Sequence, residues 1–532
     1  MRAWLATLPL SAACYWISSL YSLLVPSKRR LDLAMYFTPP QLGSHVVRMI
    51  SRISCDFATA RIIDPACGGA AFLLPAAILL RRLLLRRGFT AAEVLQHIEA
   101  HIVGWERDSV LAYISRTFLC LALDGEIQVS GRTLNPKVEV VDSLVRIERD
   151  RAHGYDVVLC NPPYRKITAS ELPGFRRRYP NLIAGQPNLY AIFSAVSLSL
   201  ARPGGVVALL TPTSFVSGDT FEPLRKYLLT NSRMRLLEMI HEREGVFHDV
   251  EQDAALAIYE RRVSPPLHHQ PLVSSWNLRG VRQHLGQLKL NSSGAPWRIP
   301  RVKNHRELLR SLEKSPWRLE HYGYRATVGA YVWNRDQREH FSVYPRGALR
   351  AKTFPIIWAS YARKGFSFSP RSEKELSRKY LVLKGDRDNG GIRRRPSVLV
   401  QRTSSRAQSR RLVAAVLPQK FIDRFGGFIA ENHVIVLEPT CKRPRVSLAN
   451  LCRVLTCQIV QDAYSMASGT STSTVGGLSS LPLPHPDVLL KKARSKDDFE
   501  NVVRLGYMIT ESCKSCEGLQ DALTTATTQA TF

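Results

Sequence analysis

The sequence predicts an α/β protein: a doubly wound, largely parallel sheet in the amino-terminal half, followed by a mixed α/β domain rich in positive charge. Two observations carry this. Between Arg61 and Tyr164 four short apolar segments each run into an acidic residue or an asparagine, with intervening stretches long enough for a crossover helix. Beyond residue 262 that alternation stops, and residues 341–411 hold 18 Lys and Arg against 4 Asp and Glu.

Composition narrows the function classes. The 532 residues carry 74 Lys and Arg against 44 Asp and Glu, a net charge of +30. So large a surplus opposes the compact state unless a polyanion supplies counter-charge, and nucleic acid is the expected partner. With 45% hydrophobic and 22% charged residues the chain can build packed cores, and its length exceeds what one core sustains, so several domains are expected. The ten cysteines mostly stand alone in apolar settings, as Cys55, Cys67, Cys120 and Cys160 do, which suits reduced thiols in the cytoplasm.

Each element can be justified in chain order. Residues 1–30 form an apolar leader, interrupted by Pro9, Ser11, Ser18, Ser19 and Ser22. A spanning helix needs about 20 mainly apolar residues, so the leader is read as a helix packing Trp16, Leu20 and Leu24 on the next domain, without membrane insertion. Arg61 to Asp64 is a first strand, the small residues Pro65 to Ala70 a turn, and Ala71 to Leu85 a long apolar helix. Small residues let a ligand approach the backbone closely, although such a turn alone serves equally well as a tight structural connection. His101 to Glu106 is a second strand ending in an acid, where doubly wound folds bind a ribose hydroxyl pair. Val138 to Asp142 is a third strand. Asp64, Glu106 and Asp142 therefore share one sheet edge.

The fourth strand, from Tyr155, delivers Asn161-Pro162-Pro163-Tyr164 to the same edge. Two prolines remove two backbone donors and leave carbonyls as the available groups. A rigid acceptor surface beside one amide and one aromatic face suits a planar substrate bearing an exocyclic NH2 group.

Asp64-Pro65-Ala66-Cys67-Gly68 followed by Asn161-Pro162-Pro163-Tyr164 resembles the cofactor-binding and catalytic motifs of N6-adenine DNA methyltransferases. Tyr36-Phe37-Thr38-Pro39-Pro40, ahead of the glycine turn, resembles the extra cofactor motif of their gamma class, the TaqI-like modification enzymes of type II restriction-modification systems. Asn188 to Phe193, Arg202 to Gly205, Gly205 to Phe215, Gly245 to His248 and the strand Ala254 to Tyr259 resemble the later motifs in family order. The family's Gly-Ser-Gly is Gly68-Gly69-Ala70 here, so Ala70 is expected at negative φ. The resemblance implies a Rossmann-like methyltransferase domain over residues 31–262 that uses S-adenosyl-L-methionine (AdoMet). A linker over 263–300, a target recognition domain over 301–490 and a helix and tail over 491–532 complete the expected organisation.

Roles follow from that resemblance and from the chemistry. The adenine N6 lone pair is conjugated into the ring. If the Asn161 side-chain oxygen and the Pro162 carbonyl accept its two hydrogens, the lone pair is freed toward the methyl group without a strong base. Tyr164 would stack on a base flipped from the duplex, and Phe247 would cover its other face. Asp64, Ala66 and Gly68 would hold the methionine moiety and Thr38 would close over it. Glu106 would take the ribose hydroxyls, Asp142 the adenine amino group, and Phe193 would wall the pocket.

The basic half is expected to bind double-stranded DNA, mainly through phosphates. Arg393, Arg394, Arg402, Arg406 and Gln408, around a strand from Ser397 to Val400, are the candidate contacts. Ser468 to Leu478 followed by Leu481-Pro482-Leu483-Pro484 resembles the closing segment of such recognition domains. Cys513 and Cys516 have metal-like spacing without a second pair at a suitable distance, so no metal is expected. RNA base methylation is the main alternative. Protein glutamine methylation would not need the basic domain, a fused nuclease has no convincing site, and a non-enzymatic DNA-binding protein would leave the whole motif set unexplained. The expectation is a monomer acting on DNA and paired functionally with a separate restriction endonuclease.

Overall fold

The computed structural model describes residues 4, 7–33, 37–54, 56–149, 154–185, 188–240, 253–262, 269–290, 294–303, 305–363, 365–383, 391–403, 410–467, 472–490 and 496–508. The chain divides into two compact units, residues 1–302 and 303–532.

The first unit is built on one nine-stranded sheet. Its strands are β1 (Ile62–Asp64), β2 (Ile102–Glu106), β3 (Lys137–Val140), β4 (Tyr155–Cys160), β5 (Ala201–Pro212), β6 (Ser232–Ile240), β7 (Ala254–Arg261), β8 (Leu272–Trp276) and β9 (Arg282–Gln287). They lie in the order β3-β2-β1-β4-β5-β7-β6-β8-β9. β3 to β5 are parallel neighbours, and β7 runs antiparallel between β5 and β6. The first five strands reverse direction of winding at β1 and β4, which opens a crevice at their carboxyl ends.

Local signals set the helices. Thr90 and Glu93 close a reciprocal capping box at the start of the helix Ala91–His101. Asp108 caps Ser109–Ala122 by accepting from the Val110 and Leu111 amides, and Asn188 caps Leu189–Leu200. The helix Pro40–Ser51 buries Leu42, Val46 and Ile50 against Val157, Leu159, Leu210 and Ile258. A separate cluster joins Leu73, Leu80, Leu95, Leu111 and Phe118 with Ala13 and Cys14 of the leader. Among the described residues no helix is long and apolar enough to cross a membrane.

Two expectations are corrected here. The leader helix, Leu10–Leu24, packs through Ala13, Cys14, Ser18 and Ser22, whereas Trp16, Leu20 and Leu24 face outward, Leu24 at 75% exposure. Small residues win because the helix lies close against the glycine turn: Cys14 Sγ donates to the Gly69 carbonyl at 2.7 Å. The supposed linker over 263–300 contributes β8 and β9 to the sheet. β8 buries Val273, Ser274, Ser275 and Trp276 in succession, so both of its faces are covered, and the polar Ser274 donates to buried Glu238. With two serines inside, the segment shows neither an apolar run nor a period-2 alternation.

The second unit has two sheets. One orders β10 (Tyr324–Val328), β18 (Val434–Pro439), β15 (Ser397–Gln401) and β16 (Ala414–Leu417). The other orders β11 (His340–Phe341), β13 (Tyr380–Val382), β12 (Thr353–Ile357), β17 (Phe428–Ala430) and β14 (Ile392–Arg393). The aromatics interleaved with the basic run go inside: Trp358 and Tyr361 are buried, and Phe368 meets Phe421 edge-on. The helix Lys496–Met508 belongs to this unit, with Tyr507 donating to the Pro482 carbonyl at 3.0 Å.

Candidate functional site

The crevice at the carboxyl ends of β1 to β4 holds a cavity of about 240 Å³. Thr38, Asp64, Ala66, Gly68, Glu106, Asp142, Asn161, Pro162 and Phe193 all line it. These are the expected cofactor residues together with two of the four expected catalytic ones. Tyr164 is not among the lining residues, and Phe247 lies outside the described residues.

The glycine turn is tied to its neighbours by carboxylates. Glu106, at the end of β2, accepts from the Gly68 amide at 2.9 Å through one oxygen and from the Asp108 amide at 2.8 Å through the other. Asp64 accepts from the Ala66 amide at 2.9 Å. Ser143 donates to the Pro65 carbonyl, so the β3 loop is stitched to the β1 loop, while Asp142 accepts from the Leu144 amide at 3.0 Å and lies 3.7 Å from Arg107 Nε. Burial pushes the Asp64 carboxyl up to about 8, against the opposing Ala66 hydrogen bond. Burial likewise raises Glu106, opposed by the amides of Asp108 and Gly68. Two carboxyls with little water around them favour a ligand that brings positive charge and hydroxyl donors.

The turn departs from expectation at Ala70, which adopts φ 65° and is fully buried. A left-handed alanine costs roughly 1–2 kcal/mol. It is held there because the Ala70 amide donates to the Cys67 carbonyl at 2.9 Å and its own carbonyl accepts from Leu74 at the start of the long helix. Gly68 also has positive φ, 53°. Gly69 is needed for a different reason: a Cβ there would stand 1.9 Å from Ser18 Oγ of the leader helix.

Asn161 is gripped from both ends of its amide. Its Nδ2 donates to Thr38 Oγ1 at 2.9 Å, and its Oδ1 accepts from the Tyr164 hydroxyl at 2.6 Å. The same hydroxyl lies 2.8 Å from the Leu210 carbonyl of β5, so its one proton has two acceptors. Burial pushes the Tyr164 phenol well up, keeping that proton in place. The Tyr164 ring meets Tyr190 edge-on at 6.4 Å.

Sequence reasoning missed further lining residues, Asp32, Phe37, Arg165, Glu171 and Phe175 among them. Arg165 forms a two-pronged pair with Glu171 at 2.6 and 2.8 Å, and this pairing holds the Glu171 carboxyl down at about 2. Phe37 directly precedes Thr38 in the Tyr36 to Pro40 motif. Arg165 directly follows Asn-Pro-Pro-Tyr, and its adjacency to that motif was the available signal.

In the second unit the candidate DNA contacts have varied surroundings. Arg393 Nη1 lies 3.2 Å from Glu438 of the neighbouring sheet and is largely buried, so its charge is already matched within the fold. Arg394 donates to the Gly426 carbonyl at 3.0 Å and covers the Phe354 ring. Arg402 donates to the Asn432 carbonyl at 3.2 Å, and its own carbonyl accepts from Ser473, in the segment matched to the recognition-domain closing motif. Arg406 and Gln408 lie outside the described residues, as do Cys513 and Cys516. Among the described residues no group of His, Cys, Asp and Glu could hold a metal ion.

Residues 112–247 match the model for the Eco57I restriction-modification methylase. The chain is 22% identical over 500 residues to the type II methyltransferase M.BsuBI of Bacillus subtilis, spanning 91% of this chain and 94% of that protein. It is 25% identical over 210 residues to the type II methyltransferase M.BstVI of Geobacillus stearothermophilus, a match spanning 38% of this chain and 37% of that one. In fold it is similar to the type IIL restriction-modification enzyme MmeI, solved with DNA. That match has a TM-score of 0.59 at 11% identity and spans 98% of this chain and 82% of the other. These matches support a methyltransferase of a restriction-modification system.

Proposed function

We propose that this protein transfers a methyl group from AdoMet to the N6 amino group of adenine in double-stranded DNA, at a specific sequence, and so protects that DNA from a separate cognate restriction endonuclease. The observation that carries the reading is Asn161, held at the lip of a carboxylate-lined cavity by Thr38 and Tyr164.

The cavity fits the cofactor by its donors and acceptors. Gly68 permits close approach, Asp64 is buried without a cationic partner among the described residues, and Glu106 and Asp142 reach the same space from successive strands. AdoMet supplies an electrophilic methyl on a sulfonium. The chain's own residues do the rest. Asp64, Ala66 and Gly68 receive the methionine end, Glu106 the ribose hydroxyls, Asp142 the adenine amino group, and Phe193 walls the ring. Asn161 Oδ1 and the Pro162 carbonyl accept the two hydrogens of the target amino group, drawing its nitrogen toward tetrahedral geometry. Tyr164 and Phe247 flank the flipped base, whose lost pairing and stacking cost a few kcal/mol, offset by about 1–3 kcal/mol from an aromatic stack. The enzyme acts as a monomer on DNA in the cytoplasm.

The test is expression in a host lacking modification, followed by modification-sensitive sequencing of its DNA. N6-methyladenine at one recurring motif is the expected result. Methylation on cytosine, or none at any recurring motif, refutes the reading. Asn161→Ala should abolish transfer while AdoMet binding by calorimetry persists.

A further inference from the structure

Beside the cavity, the first unit carries a second concavity of about 620 Å³ that the proposed chemistry does not use. One wall is the helix Pro40–Ser51 with Arg52 just beyond it, another is the start of the leader helix at Pro9 to Ala12, and a third is the turn between β8 and β9. Four arginines line it: Arg48, Arg52, Arg279 and Arg282.

The floor and the walls differ in charge. Arg282 is paired with the fully buried Glu238, which also accepts from Ser274 at 2.7 Å and pairs with His45. His45 in turn stacks on Trp276 at 4.4 Å. The floor is thus internally matched and rigid. Arg48, Arg52 and Arg279 are exposed and make no side-chain hydrogen bond or ion pair among the described residues, so the walls carry three uncompensated charges. Arg48 and Arg52 stand four residues apart on one face, a like-charge spacing that destabilises a helix by a few tenths of a kcal/mol. All three are guanidiniums, whose planar forks match phosphate oxygens. Arg279 is presented by a turn in which Asn277 accepts from the Val281 amide at 3.0 Å and Gly280 takes φ 81°.

Position selects the occupant. β8 runs parallel to β6, which shares the direction of β5 and β4, so Trp276 and the Arg279 turn lie on the sheet edge where Asn161 emerges. The helix that carries Arg48 begins at Pro40, two residues after Thr38, whose hydroxyl receives Asn161, and leads away from that point. It places Arg48 in its last turn and Arg52 just past its end, about 12 to 18 Å along its axis, so the groove runs outward from the site. We infer that this groove holds the sugar-phosphate backbone of duplex DNA beside the target base, with Arg48, Arg52 and Arg279 each on a phosphate. The inference rests on the DNA-methylating reading and adds a backbone site on the catalytic unit itself, outside the basic second unit.

The test measures binding of the full-length protein to a fluorescein-labelled non-specific duplex across a potassium chloride series. Arg48→Gln/Arg52→Gln/Arg279→Gln should lower the slope of log affinity against log salt by about 2.7, at roughly 0.9 per lost phosphate contact. AdoMet affinity should stay at the wild-type value, and Tm should not fall, since the like-charge pair on the helix is removed. Arg279→Gln alone, in an exposed turn, should lower the slope by about 0.9 and stands in if the triple variant misfolds. A wild-type slope in either folded variant overturns the groove proposal. Failure of the wild-type protein to bind duplex DNA at all overturns the methylation reading instead.

Discussion

Thr38 Oγ1 and Asn161 Nδ2 lie 2.9 Å apart across 123 positions of sequence. The bond fixes which end of the Asn161 amide faces which way: with nitrogen committed to Thr38, the oxygen is the end left toward Tyr164 and the substrate side. Thr38 is buried, so water does not replace it readily.

Thr38→Val should therefore lower single-turnover methylation about 10- to 100-fold, the scale of a misplaced reacting group, with AdoMet affinity changed much less. Thr38→Ser keeps the hydroxyl and should restore most of the rate. Equal losses in rate and AdoMet affinity for Thr38→Val would instead assign Thr38 to cofactor closure alone.

Gly69→Ala tests the seat of the leader helix. The added methyl meets Ser18 Oγ at 1.9 Å and Ser18 Cβ at 2.9 Å, so the helix has to shift. Overpacking of this kind costs typically 1–3 kcal/mol, read as a lower Tm. Gly68→Ala meets nothing closer than Phe37 at 3.8 Å, so its stability loss should stay near the roughly 1–2 kcal/mol of a left-handed alanine. Its methyl would enter the cavity, and AdoMet affinity should suffer more than stability.

Asp64 gives the ligand-free protein a pH signature. Its folded pKa of about 8 lies above an unfolded value near 3.9, so the folded state binds the extra proton between them. Stability should then fall as pH rises from about 4 to 8, by up to about 1.4 kcal/mol per unit. Asp64→Asn, which can still accept from the Ala66 amide, should flatten that slope and raise Tm most at pH 8 and above. Denaturant midpoints of both proteins across this range decide it; parallel slopes would show that Asp64 is ionised in the fold.

Glu238 is the hub of a buried charged cluster. Burial pushes its carboxyl up, but His45, Ser274 and Arg282 together hold it below the usual range. Glu238→Gln leaves Arg282 unmatched beneath three other arginines and should destabilise the protein by on the order of 3 kcal/mol. Measured by urea denaturation, a change under about 1 kcal/mol would mean Arg282 turns to solvent at little cost.

The site was legible where chemistry coincided with strand ends. Asp64, Glu106 and Asn161 each follow an apolar run of strand length and Asp142 a valine-rich one broken by Glu139, and the parallel sheet brings those ends together. Thr38 and Phe193 were placed by their motifs. What stayed hidden depended on geometry between distant segments. Nothing local marks Glu438 as the partner of Arg393, or Glu238 as the partner of Arg282 and His45. The leader helix misled because its bulky side chains suggested the buried face, whereas closeness to Gly69 demanded Ala13, Cys14 and Ser18. Ala70 defied a rule about backbone energy because two hydrogen bonds of the turn hold it in place.

The strand order also sets a timetable for synthesis. Among the described residues, every one lining the cavity falls between Asp32 and Phe193, and β1 to β4 need no later strand to pair with one another. The partners of β6 are β7 and β8, both made after it. A nascent chain leaving the ribosome amino-terminus first thus completes this lining before β6 is made; β6 then waits as an unpaired strand, and β7 must slot between β5 and β6 last of the three. Cofactor present during translation would meet its pocket before the sheet is closed, and the open β5 edge is the interval in which this protein is most exposed to aggregation.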